Sequence, residues 1–198
     1  RAVDLAALEL QTYIRKMSGA KLNIVTEPSD AMPVRIYVGE SRYTEDIKVP
    51  QTDDGAFRMV SGDDWLALVG YDWDFRPIGL WGRNRQDWLS KLPKWQEMTG
   101  SLWGNPIGAK IYRDYNGRAA NFDPDTPRDT SGGKTGMWEY DKRGSQNAVY
   151  AFLRSLGVRW YMPGDLGEVV PQRSTIELPD VDRTETPDFR LRFANFAR

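Results

Sequence analysis

Apolar side chains recur at helical spacing at the start of the chain. Ala6, Leu10, Tyr13, Ile14 and Met17 form one stripe, and Ser18-Gly19 supplies a C-terminal stop. Beyond Leu22 to Val25 and a proline-containing turn, the period shortens to two. Val34, Ile36 and Val38 alternate between Pro33 and Gly39, which predicts a strand. Phe57 to Val60 and Trp65 to Val69 flank Ser61-Gly62-Asp63-Asp64 and predict a β-hairpin whose second arm is apolar nearly throughout. The helical period returns after Arg143, where Ala148, Phe152 and Leu156 recur at four-residue steps with Val149 and Leu153 beside them, and Gly157 ends the run. Val158, Trp160 and Met162 then alternate with Arg159 and Tyr161 as in a half-buried strand, and Pro163-Gly164-Asp165 reads as a turn. Glu168 to Val170 and Thr175 to Leu178 predict short strands, Pro179 to Pro187 a polar connector, and PDFRLRFANFAR the start of another strand.

Between these two patterned regions the texture changes. From Trp73 to Asp141, Gly, Pro, Asn and Asp become frequent, yet six of the eight tryptophans fall here. The segment reads as an insertion. Trp81, Trp88 and Trp95 are seven residues apart, so a helix near Asn84 to Met98 would align them on one face, with Pro93 expected to break or kink it. Tyr112 to Thr135 is polar and turn-rich and is expected to be the mobile part. Helix, strand, hairpin, insertion, helix and strands together predict an α+β fold, a mixed β-sheet with helices packed on it and a long irregular Trp-rich insertion. The expected division is an α/β domain over residues 1–180, with the insertion at about 73–141, and a connector at 181–198 that begins a following domain.

Composition narrows the chemistry. The 198 residues are 40% apolar, enough for a core, and 27 basic against 28 acidic side chains give a net charge of −1. No global field recruits nucleic acid or an anionic membrane. The chain has neither cysteine nor histidine, which removes disulfides, thiol nucleophiles, Ser-His-Asp triads, histidine bases and HExxH metal sites from these residues. Neither cofactor nor metal is expected. No apolar run approaches the roughly 20 residues that span a bilayer. The chain opens at Arg1 directly in a helical pattern, which leaves room for an upstream targeting segment or first strand.

The ordered segments AALELQTYIRKMSGAKLNI, RIYVGES, DGAFRMV, LALVGYD, RGSQNAVYAFLRSLGVRWYMPGDLGEVVP and TPDFRLR resemble the N-terminal accessory domain of bacterial glycoside hydrolase-like proteins. They are similar to the second domain of β-N-acetylhexosaminidases and to the N-terminal domain of α-glucuronidases. The resemblance covers nearly the whole chain except the insertion. It implies a noncatalytic domain packed on a C-terminal catalytic (β/α)-barrel of the same protein, in an exported, periplasmic or extracellular glycoside hydrolase. The related zincin-like grouping implies no peptidase activity here, since the histidines are missing. In hexosaminidases a proline, a phenylalanine two positions later and an arginine three beyond it lead into the first barrel strand. Pro187, Phe189 and Arg192 match that spacing, with Phe193 where the family has glycine. The resemblance thus makes Arg192 a candidate sugar-binding residue. An ordinary strand arginine paired with a carboxylate is the simpler reading of the same position.

Glycoside cleavage needs two carboxyl groups roughly 5 to 10 Å apart, one of them held protonated. Asp53-Asp54, Asp63-Asp64 and Asp123-Asp125 are acid pairs, but all sit beside Gly or Pro, where aspartate serves turns. No catalytic residue is assigned. Trp81, Trp88, Trp95 and Trp103 lie among Arg83, Asn84, Arg85 and Asn105, the ingredients of an oligosaccharide platform, since indole faces pack on pyranose C–H faces while polar neighbours bind hydroxyls. Indoles also anchor cores and interfaces, and packing is the favoured reading for most of them. Ser131 to Thr135 lacks the first glycine and the preceding strand of a phosphate loop. The Arg143-Gly144 step before the second strong helix could seat an anion, but such a glycine more often simply permits tight entry into the helix. The leading expectation is therefore an accessory domain of a carbohydrate-active protein. An autonomous carbohydrate-binding module and a structural oligomerisation domain are the alternatives.

Overall fold

The computed structural model describes residues 2–29, 31–52, 55–74, 84–99, 141–162 and 164–188, with only the backbone described for Arg85, Trp88, Leu92, Trp95, Gln96 and Thr99. The chain divides into two compact units, Trp73–Asp141 and Ala2–Asp72 with Lys142–Arg198. The second unit is an α+β layer built on a sheet of mixed orientation.

Helix α1 spans Ala2–Ser18 and buries Ala2, Leu5, Ala6, Leu10, Tyr13, Ile14 and Met17, the i, i+3, i+4 stripe expected of one face against a core. It ends where Gly19 adopts φ 78° and its N–H reaches Arg15 O at 2.8 Å. The main sheet has the order β1-β3-β2-β8, formed by Arg35–Val38, Trp65–Gly70, Phe57–Ser61 and Asp182–Glu185. β1 runs parallel to β3, whereas β2 is antiparallel to both β3 and β8. Central β3 is buried at Leu66 through Gly70. Leu66 and Leu68 join the main cluster, and Ala67 and Val69 point to the opposite face and are equally buried.

Helix α3, Gly144–Ser155, contributes Ala148, Val149, Ala151, Phe152 and Leu153 to the same cluster as α1 and the sheet. Its end is closed by Gly157 N to Arg154 O at 3.0 Å and Val158 N to Leu153 O at 3.1 Å, and Val158 is fully buried beneath it. The other end meets β3 backbone to backbone. An added Cβ would lie 1.9 Å from Gly144 C if placed on Gly70, and 2.4 Å from Tyr71 N if placed on Gly144. Ser145 Oγ accepts the Gly70 N–H at 2.9 Å, Ser145 N donates to Asp72 Oδ1 at 3.0 Å, and Asn147 Nδ2 donates to Gly55 O at 2.8 Å. Gly144 therefore serves close packing, and a carboxylate of the chain itself lies at this helix N-terminus. Asp72–Trp73 (β4) and Lys142–Arg143 (β5) pair as a short ladder.

Three segments depart from the sequence expectation. Pro179 to Pro187 is not merely a connector: β8 lies inside it as an edge strand, tied by Arg58 to both oxygens of Asp182 at 2.9 and 3.0 Å. Thr175 to Leu178 forms no strand, although Ile176 and Leu178 pack against the core; the strand that pairs with β2 is instead the more polar Asp182–Glu185. The strand expected over Val158 to Met162 shortens to β6, Arg159–Trp160, paired antiparallel with β7, Glu168–Val169. The alternation stops at Met162, which is half exposed, where a 3-10 turn at Asp165–Gly167 brings the chain back.

In the other unit, α2 spans Arg85–Thr99, with Asn84 Oδ1 accepting the Asp87 N–H at 2.9 Å as an N-cap. Pro93 lies inside this helix without ending it. It removes one backbone donor, but Pro93 and Leu89 are exposed, so water can take the Leu89 carbonyl. Tyr112 to Thr135, the Ser131 to Thr135 loop and the strand expected at the end of the chain from Phe189 lie outside the described residues.

The glycine contact yields a graded outcome. Gly144→Ala is expected to destabilise the protein by more than about 3 kcal/mol, because backbone rather than a flexible side chain must move. Gly19→Ala, where open space surrounds the new methyl group, should cost only about 1 kcal/mol for the left-handed backbone. Urea denaturation followed by circular dichroism distinguishes the two.

Candidate functional site

Glu9, Tyr13 and Lys16 lie on adjacent turns of one α1 face, beside its apolar stripe. Opposite them stand Tyr150 of α3, Trp160 of β6 and Glu168 of β7. Tyr13 Oη donates to Glu168 Oε1 at 2.7 Å and accepts the Trp160 indole N–H at 2.6 Å. Lys16 Nζ donates to Glu168 Oε2 at 2.6 Å. Tyr150 Oη donates to Glu9 Oε2 at 3.1 Å and accepts from Gln146 Nε2 at 3.3 Å. The Trp160 ring is held edge-on by Tyr13 and Tyr150, with centroids 5.2 and 5.1 Å away and planes at 88° and 66°.

The two carboxylates are driven in opposite directions. Burial pushes the Glu9 carboxyl above the usual carboxylate range, and the Glu168 charge adds to this against the Tyr150 hydrogen bond. Burial also opposes ionisation of Glu168, but hydrogen bonds from Lys16 and Tyr13 together with the Lys16 charge outweigh it and hold that carboxyl low. Burial raises both tyrosine hydroxyls. Donation to Glu168 adds to the effect at Tyr13, and the Glu9 charge adds to it at Tyr150.

Carboxyl groups with separated pKa values are a mark of acid-base sites. Here, however, both carboxylates and both hydroxyls are engaged with one another. The arrangement keeps Tyr13 and Tyr150 protonated as donors and fastens α1 to α3 and to the β6–β7 hairpin. It is a polar clamp around one indole. Beyond the clamp the hairpin carries Tyr161, Met162, Leu166 and Val169, which are 71%, 53%, 98% and 48% exposed. Tyr161 N to Gly167 O at 2.8 Å and Gly167 N to Gly164 O at 2.9 Å brace this apolar tip.

The cluster is made of residues that the sequence did not single out as candidates. Trp88 and Trp95 fall on α2, seven positions apart and thus on one helix face. Trp81, Trp103 and Arg192 lie outside the described residues, as do the Asp53-Asp54 and Asp123-Asp125 pairs. Asp63-Asp64 occupies the exposed β2–β3 turn, where Asp64 O accepts the Arg35 N–H at 3.0 Å. Among the described residues no group of three or more acidic side chains is placed to hold a metal ion, and no helix is long and apolar enough to cross a membrane.

The cluster escaped the sequence reading because Tyr13 counted as part of the apolar stripe. The one available signal was the Glu9, Tyr13, Lys16 spacing beside that stripe. Comparison with protein-family models, with curated proteins and with solved structures finds no match to this chain.

The opposed carboxyl shifts set a pH response. Glu168, lowered in the fold, contributes stability that is present above its unfolded pKa and lost as pH falls through its folded pKa. Glu9, raised in the fold, contributes stability that is present below its unfolded pKa and lost as pH rises through its folded pKa. Glu168→Gln should therefore flatten the acid limb of the stability profile, and Glu9→Gln should steepen it. Urea midpoints measured between about pH 3 and about pH 7 test both signs.

Proposed function

We propose that this chain is a noncatalytic accessory domain of an exported glycoside hydrolase, of the kind seen as the second domain of hexosaminidases and the N-terminal domain of α-glucuronidases. It shapes or supports the active-site cleft of a catalytic barrel and supplies neither acid, base nor nucleophile. The observation that carries this reading is the braced β6–β7 tip. Four apolar side chains are held out in solvent by a clamp that uses the clustered titratable groups of α1, α3 and β7 for structure. Rigid exposed apolar surface of this kind suits packing against a neighbouring domain. The ordered resemblance of the sequence segments supports the same reading.

The tryptophans favour a second role within it. Trp88 and Trp95 share a face of α2. A platform on the insertion would hold an oligosaccharide near the cleft, or bind one independently of any barrel.

The purified chain is expected to release no nitrophenol from aryl glycosides above the uncatalysed rate. The coding sequence downstream should encode a barrel with paired carboxylates at its strand ends. That barrel, supplied separately, should bind the chain about tenfold or more weakly when Leu166→Asp is introduced. Turnover by the chain alone, or a downstream sequence without such a barrel, contradicts the proposal.

A further inference from the structure

We draw no further inference here: the strongest candidate, the outer edge of β1, where the backbone N–H groups of Ile36 and Val38 face away from β3 beside the half-exposed Val34 and no strand among the described residues pairs, carries nothing because nothing in the structure shows what covers it.

Discussion

The structure depends on the place where β3 ends and α3 begins. Gly70 and Gly144 approach so closely that neither backbone leaves room for a methyl group. That contact seats the start of α3 on the end of the central strand, with the Gly70 N–H capped by Ser145 Oγ in a buried hydrogen bond. Once the helix starts there, its length carries Val149, Phe152 and Leu153 across the sheet to meet Leu10, Ile14 and Met17 of α1. The two glycines are 74 positions apart in the chain (144 − 70), with the whole insertion between them. Closing a loop of that length has an entropic cost that grows only slowly with length, and the buried cluster beneath the contact offsets it.

The polar clamp around Trp160 follows from this placement. α3 brings Tyr150 to one side of the indole and α1 brings Tyr13 to the other, while Glu168 accepts from Tyr13 and Lys16 together. Buried hydroxyls and carboxylates are costly unless satisfied. Here each finds a partner on another element, so the network converts that cost into a fixed orientation for the β6–β7 hairpin. Separated carboxyl pKa values therefore need not mark a reaction centre. They arise here from unequal burial and from a lysine that faces one glutamate more closely than the other.

The sequence made the periodic elements legible and left the paired and edge-dependent ones obscure. α1, α3 and the β2–β3 hairpin stood out because each presents an uninterrupted apolar stripe or alternation to one core. β8 did not, since Asp182 to Glu185 is polar and becomes a strand only by pairing with β2 and by the Arg58–Asp182 contact. Thr175 to Leu178 shows the converse: alternation alone, with Ile176 and Leu178 turned to the core, gives extended chain and no ladder. The clamp was less legible still, because its hydrogen bonds join residues 141, 147 and 155 positions apart.

Native-state hydrogen exchange at the Gly70 amide tests the dependence on the β3–α3 contact most directly. If this contact organises the fold, Gly70 exchanges only through global unfolding, with the same free energy as the central β3 amides of Leu66 and Leu68. Exchange of Gly70 at a markedly lower free energy, while those two amides stay protected, would show that α3 can lift from the strand end without loss of the fold, and would contradict the account.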